Sequence, residues 1–429
     1  MKNTSEGKFY LLPKIHKKGI PGRPICSSCN HPTANISKFV DEHIKTYLPK
    51  TNSYVRDTQH VIKRIKEVGP LPEGTKLVTL DVSSLYTNIP NHEGIQAVAH
   101  HIRSDPTKQK IGPFIIRLLQ LVLHSMNFEF NGDHYLQIGG TAMGTALAPN
   151  YANLFMDRFE SKALENWPLK PLLWIRFIDD IFCLWQHGTE QLNKFVKYLN
   201  EIHQTIKFTH EVSDSHIAFL DTTVKIDTDN SLYTTLYEKP TDTHMYLHYT
   251  SAHHAPSKTK GPFGQFLRLR RICTKDTDFE YNAEKLIGYY QKRGYPTKAL
   301  NKHKKAASKY SQDELLEVKE KKENSTPVMV TDYNPSNPDI KSLIHRNWNI
   351  ISNSYDCEHI FPSKPILGFR RLPNLRDQLT SAKVQYPPIE QTLVPPRPKV
   401  CTRLGKCKYC PLIKKISEIR CNYTRRLSN

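Results

Sequence analysis

Short apolar runs alternate along this chain with longer stretches in which apolar residues recur every three or four positions. Leu77-Val78-Thr79-Leu80, and the two halves of Trp174-Ile175-Arg176-Phe177-Ile178-Asp179-Asp180-Ile181-Phe182-Cys183-Leu184-Trp185, have the length of buried strands, the second forming a hairpin. Phe39, Val40, Ile44, Tyr47 and Leu48 fall at helical spacing and predict a helix from Ser37 to Leu48. Further helices are expected around Phe114 to Leu123 and from the Gly-rich stretch at 137–149 through Phe159. Strands and helices in alternation predict a mixed α/β (α+β) layer. Beyond it, Ser231 to Tyr237 is β-like, and Phe263 to Cys273 and Tyr281 to Arg293 read as two helices separated by Thr274 to Asp278 and stopped at Gly294-Tyr295-Pro296. Residues 301–340 are Lys/Glu-rich and then Pro/Asn-rich, which predicts a solvated helix and a linker. Residues 341–380 recover a compact pattern, and the prolines from Pro387 to Pro398 stiffen a connector.

Three carboxylates interrupt this pattern. Asp179-Asp180 stands at the turn of an apolar hairpin, where Asn-Gly would turn more easily and without like-charge repulsion, and Asp81 ends the run from Leu77. A solvated turn accounts for an isolated Asp-Asp. Carboxylates converging on divalent cations account for all three, because two hard cations about 3.5–4 Å apart are what in-line phosphoryl or nucleotidyl transfer uses.

Charge adds a partner. The chain has 429 residues, enough for two or more domains, with 61 Lys and Arg against 41 Asp and Glu and a net charge of +20. Residues 251–310 hold 14 basic against 4 acidic residues, and residues 401–429 hold 8 against 1. Segregated positive charge of this kind is the footprint of a nucleic-acid partner. No apolar run reaches the length of a membrane span and no signal-peptide core follows Met1, so an intracellular, nuclear protein is expected, with no membrane partner. Nine cysteines, an odd number, argue against a disulfide framework.

Asp81 with Tyr86 five residues on, then Gln137-x2-Gly140-x2-Met143-Gly144-x3-Ala148-Pro149, then hydrophobic-Asp179-Asp180-hydrophobic, resembles motifs A, B and C of a reverse transcriptase palm. Phe9-Tyr10-Leu11-Leu12-Pro13-Lys14-Ile15-His16-Lys17 and Gly22-Arg23-Pro24-Ile25 resemble the first fingers motifs of Penelope-like retroelement reverse transcriptases, relatives of telomerase. Ile206 to Thr209, Ala218 to Asp221 and Tyr237 to Asp242 continue that order. The resemblance covers about residues 8–300, with Phe177 where Tyr is frequent and Ala148 where many relatives have Ser.

It implies a right-hand polymerase: fingers at 1–75 with more sequence expected upstream, palm at 76–225, a helical thumb or helix-turn-helix-like segment at 226–300, a linker region at 301–400 and a small Cys-rich segment at 401–429. The implied activity is Mg²⁺-dependent RNA-directed DNA synthesis from dNTPs on an RNA template and a DNA primer, in a retrotransposon setting. Asp81, Asp179 and Asp180, with the Val82 carbonyl, would hold two Mg²⁺ ions. Lys14 and Arg23 would hold the triphosphate, Tyr86 would be the steric gate against a 2′-hydroxyl, and Gln137, Gly140 and Met143 would lie along the template and nascent pair. Lys207 is a candidate general acid. Arg268, Arg270 and Arg271 suit duplex phosphates.

Cys401-x5-Cys407-x2-Cys410-x10-Cys421 has zinc-ligand spacing, with free thiols the alternative. Cys26-x2-Cys29 lacks a second pair and reads as free cysteines. In Penelope-like proteins a similar cluster precedes a GIY-YIG endonuclease, whose signature does not follow here. A polymerase-inactive nucleic-acid-binding remnant and an RNA-dependent RNA polymerase are the rival readings.

Overall fold

The computed structural model describes residues 4–15, 19–317, 326–337, 339–354, 363–372, 379 and 413–415. They divide into two units, Met1–Tyr233 with Pro396–Asn429, and Thr234–Pro395.

The first unit is built on two sheets. Strands β1 (Gly7–Pro13) and β2 (Gly22–Ser27) form an antiparallel hairpin. They are followed by α1 (Ala34–Ile44), α2 (Thr58–Lys66), β3 (Lys76–Val82), the short α3 (Leu85–Asn88), α4 (Asn91–Arg103) and α5 (Gly112–His124). Next come β4 (Asn127–Phe130), β5 (Asp133–Gln137), α6 (Ala148–Asn166), β6 (Leu173–Phe177), β7 (Asp180–Trp185), α7 (Gly188–Glu201) and β8 (Phe208–Ser213), then the hairpin of β9 (His216–Phe219) and β10 (Thr222–Ile226).

The central sheet is antiparallel in the order β6-β7-β3-β8. Apolar residues on both of its faces explain the near-continuous apolar runs. Val78, Leu80, Ile181, Cys183 and Trp185 face the core made with α4, α6 and α7, whereas Leu77, Ile175, Phe182 and Leu184 pack with Ile65, Phe219 and Val224. Stripping both faces of water is the main force holding the unit, at roughly 25 cal/mol per Å² of apolar surface buried.

A second sheet joins β1 and β2 to β4 and β5, which lie more than a hundred residues later, through a parallel β1–β4 pairing at Gly7 and Lys8. Residues 413–415 add a strand to the β5 edge. The helix expected from Ser37 to Leu48 is corrected: α1 ends at Ile44 and a 3₁₀ turn covers Lys45–Lys50. Pro49 contributes to this, since without an N–H it cannot donate an α-helical bond to the Lys45 carbonyl.

The second unit is entered along β11 (Leu232–Leu236). It contains α8 (Ala255–Ile272), α9 (Asp276–Gln291), α10 (Thr297–Ala307) and α11 (Gln312–Leu316), packed through Phe266, Leu269, Phe279, Leu286, Tyr290 and Leu300. Helix α9 starts five residues earlier than its apolar pattern suggests, because Asp276 and Asp278 occupy the first turn, where acids favour the helix N-terminus. Within the stretch read as linker, β12 (Val328–Tyr333) pairs in parallel with β13 (Ile366–Arg371).

Candidate active site

Register brings the carboxylates together. In the β3–β7 ladder Asp81 lies directly opposite Asp180, and Asp179 occupies the turn between β6 and β7. Directly opposed residues of an antiparallel pair point to the same face, so two acids share one patch, an arrangement that is destabilising by itself. The Val82 amide donates to the Asp179 carbonyl at 3.0 Å and ties the turn to the end of β3. Asp179 is half-buried while Asp180 is exposed. Burial raises the Asp179 carboxyl above its usual range and the Asp81 charge adds to this, opposed by a backbone hydrogen bond and by Arg23 and Lys14. Neither Asp81 nor Asp179 makes an ion pair among the described residues. An all-oxygen donor set suits a hard cation. Among the described residues, however, no group of three or more His, Cys, Asp or Glu is drawn close enough to hold one.

The turn itself is strained and clamped. Ile178 has φ of +58°, in the left-handed region that a β-branched residue rarely adopts. Its carbonyl accepts from Arg176 Nη1 at 3.2 Å. Arg176 is fully buried and its other bonds run to Glu160 Oε1 (2.8 Å), Asn153 Oδ1 (2.6 Å), the Asn153 carbonyl (3.2 Å) and Ser53 Oγ (3.4 Å). Glu160 also accepts from Trp174 Nε1 at 2.9 Å and Ser53 Oγ at 2.6 Å. Sequence reasoning missed this hub. Its one visible signal was a charged residue, Arg176, inside an apolar run.

The Gly-rich stretch at 137–149 fastens the two sheets. On one side the Thr141 amide donates to the Tyr86 carbonyl at 2.7 Å, and Gly140 has φ of +68° with its missing Cβ only 2.7 Å from Thr87 Cα and the Tyr86 carbonyl oxygen. On the other side the Cys26 amide donates to the Met143 carbonyl at 2.9 Å, and Gly144 leaves 2.4 Å between a Cβ and the Cys26 carbonyl oxygen. Any larger residue at 140 would push the turn off the β3–α3 segment; one at 144 would push it off β2. Gln137 is buried and donates to its own loop at Gly139. Tyr86 lies close enough to Asp179 and Arg23 to feel both, and burial together with Asp179 pushes its hydroxyl up to about 12. Lys14, Arg23, Tyr86 and Asp81 thus lie close enough to Asp179 to act on it or feel it, and the Gly140 turn packs on Tyr86 and Thr87.

The profile of the reverse transcriptase (RNA-dependent DNA polymerase) family matches residues 15–225, which hold nearly all of these groups. Residues 15–225 form a reverse transcriptase domain. The profile of the animal helix-turn-helix domain matches residues 245–305, in the second unit. Telomerase from Candida albicans in complex with the TWJ fragment of telomeric RNA aligns with a TM-score of 0.51 at 11% identity, covering 72% of this chain and 56% of that one. Apo telomerase from Candida tropicalis gives 0.45 at 14% identity over 72% and 59%, and the RNA-dependent RNA polymerase of a human picobirnavirus gives 0.47 at 12% over 70% and 60%. The chain thus spans less than two thirds of the length of each of these structures. The fold is a mixed α/β one with antiparallel sheets, similar to the right-hand polymerases. No curated protein matches the chain. Among the described residues no helix is long and apolar enough to cross a membrane.

Several expected residues turn their side chains away from the reverse transcriptase site or lie outside it. Lys207 directs its ammonium to the carbonyls of Asn200 and of His203 (2.8 Å), at the C-terminal end of α7, and so caps that helix rather than facing the carboxylates. In the helix-turn-helix domain Arg270 is committed internally, to Asp276 (2.6 Å) and the Tyr310 carbonyl (2.7 Å), and Arg271 Nε donates to the Leu315 carbonyl at 3.2 Å. Both tie α8 to the segments around α9 and α11. Three of the exposed cations of this domain, Lys298, Lys302 and Lys305, form a stripe on α10, and Lys260 and Lys292 are exposed outside it. Cys26 is a buried free thiol raised to about 12 by burial, and Cys29 is an exposed free thiol. Cys401, Cys407, Cys410 and Cys421 lie outside the described residues.

Proposed function

We propose that this chain is an RNA-directed DNA polymerase of a Penelope-like retroelement, extending the 3′-hydroxyl of a DNA primer with dNTPs on an RNA template. The observation that carries the reading is the β3–β7 register, which opposes Asp81 to Asp180 beside Asp179 within a reverse transcriptase domain. Mg²⁺ held by Asp81 and Asp179, with Asp180 and the Val82 carbonyl, would ease deprotonation of the primer hydroxyl and stabilise the departing pyrophosphate.

The chain's own residues do the rest. Lys14 and Arg23 approach from the β1–β2 hairpin and bind the triphosphate, the guanidinium by a two-pronged contact that an ammonium cannot make. Tyr86 underlies the sugar and excludes a 2′-hydroxyl. The Gly140–Gly144 turn brings backbone against the nascent pair. Residues 1–75 serve as fingers and 76–225 as palm, with β4 and β5 completing the fingers sheet. The helix-turn-helix domain grips the product duplex in place of a thumb, through the α10 lysines and Arg268. The order of a reverse transcriptase domain followed by an animal helix-turn-helix domain supports the Penelope-like assignment.

Purified protein with a primed RNA template, Mg²⁺ and dNTPs is expected to extend the primer, and Tyr86→Ala to gain rNTP incorporation. Absence of extension by the wild-type chain would leave only a nucleic-acid-binding remnant. Preference for rNTPs in the wild type would make it an RNA polymerase.

A further inference from the structure

Between α4, α6 and α7 runs a cleft of about 640 Å³ that the polymerase site does not use. Its rim is basic: Arg103 closes the end of α4, and Arg158 and Lys162 stand one turn apart on α6. Its floor is apolar, made by Phe155, Phe159 and Ala163 of α6. Residues 155, 158, 159, 162 and 163 share one helical face, so a single face of α6 supplies both floor and cations.

Exposed cations on a flat surface are solvated at little cost. Here three converge on a concavity, where low-dielectric walls focus their field. No carboxylate pairs with Arg103, Arg158 or Lys162 among the described residues. The acid in the cleft, Glu93, is engaged by His203 Nε2 at 3.0 Å. His100 stands 3.2 Å from Arg158 Nη1, and burial, Arg158, His101 and Lys162 hold its imidazole below its usual range, so it adds no charge at neutral pH. Next to it, His101 has a carboxylate, Asp157, at 3.2 Å. Arg103, Arg158 and Lys162 therefore converge on the cleft with no carboxylate paired to them among the described residues.

Cations without a carboxylate partner, converging on a concavity, fit a ligand that carries phosphate. The volume is within the roughly 300–1,000 Å³ usual for small-ligand sites, enough for a nucleotide unit and too narrow for a duplex. Helix α6 begins at the Gly-rich turn, and at ~1.5 Å per residue Arg158 lies about 15 Å along it from Ala148, within reach of a strand bound at that turn. We propose that the cleft binds single-stranded RNA, with phosphates on Arg103, Arg158 and Lys162. The choice of RNA rests on the proposed polymerase function; the anionic, single-stranded character rests on the cleft.

The test is a salt titration of the full chain's affinity for a labelled single-stranded RNA oligomer. Arg158→Glu/Lys162→Glu is expected to lower affinity at least about tenfold near 0.1 M salt. Arg158→Gln/Lys162→Gln should lower the slope of log affinity against log salt by about 1.4, since each phosphate contact contributes ~0.7 on single strands. Melting temperature and extension of a template too short to leave the polymerase site should be unchanged. Unchanged RNA affinity and slope in a folded variant would overturn the proposal. So would loss of poly-glutamate binding with RNA binding intact, which would make the cleft a protein-docking surface. Should the charge-reversed variant not fold, the glutamine variant decides alone. Asp179→Asn protein binds RNA at the cleft whether or not extension occurs, so failure of the polymerase reading and failure of this one are read separately.

Discussion

Two charge clusters lie within three residues of each other on the β6–β7 hairpin and are treated in opposite ways. Arg176 and Glu160 are 0% and 3% exposed, and each has partners for all of its polar atoms. Asp81 and Asp179 repel each other at the mouth of the same hairpin, and among the described residues neither forms an ion pair, Arg23 and Lys14 only offsetting part of the repulsion. A buried charge without a partner is costly, so a fold that can satisfy Glu160 so fully could in principle have satisfied Asp179 as well. The difference marks one cluster as structural and the other as waiting for a ligand. The basic cleft between α4 and α6 repeats the second pattern with the sign reversed.

The contrast can be broken at either cluster. The largest effect is expected at the unsatisfied one: Asp81→Asn should reduce primer extension by about three orders of magnitude, as loss of roughly 4 kcal/mol of transition-state stabilisation implies, with the fold intact by circular dichroism. The reverse should hold at the satisfied cluster. Arg176→Met strands Glu160 and frees the Ile178 carbonyl, and should cost about 3–5 kcal/mol in denaturant unfolding, with activity lost in proportion to fold. Arg176→Met/Glu160→Met should recover much of that stability without recovering the turn, so extension should stay low.

Smaller effects sharpen the comparison. Gly140→Ala should cost about 1–3 kcal/mol and raise the KM for dNTP, because a Cβ there meets backbone at 2.7 Å, whereas Gly132→Ala, at φ +80° with open space around it, should cost about 1 kcal/mol and leave KM alone. Mg²⁺ should raise the melting temperature by a few degrees at neutral pH. The ion binds the ionised carboxylates, so this gain is present above the Asp179 pKa and lost as pH falls through it. Because burial raises that pKa, the loss should come at a higher pH than for an ordinary aspartate, and Asp179→Asn should remove the gain at every pH.

What the sequence disclosed follows contact range. Asp81, Tyr86, Gly140 and Asp179-Asp180 were legible because each is set by a local motif, and the strands that carry them were legible as apolar runs. The hub around Arg176 was not, since Ser53 is 123 residues away and Asn153 23, and no local pattern encodes a meeting at that distance. The β1–β4 pairing was hidden for the same reason. Arg270 and Lys207 were legible only as charges. Their commitment to carbonyls of neighbouring helices depends on packing that composition does not reveal.

The central claim is that Asp179 is kept ionised and unpaired for a cation at a cost to the fold. Melting temperature in metal-free buffer and primer extension in Mg²⁺, measured on the same Asp179→Asn preparation, test it directly. The expected result is a protein at least as stable as the wild type, by about 1 kcal/mol or a few degrees, with extension abolished. Extension at the wild-type rate, or loss of activity accompanied by a lower melting temperature, would contradict it.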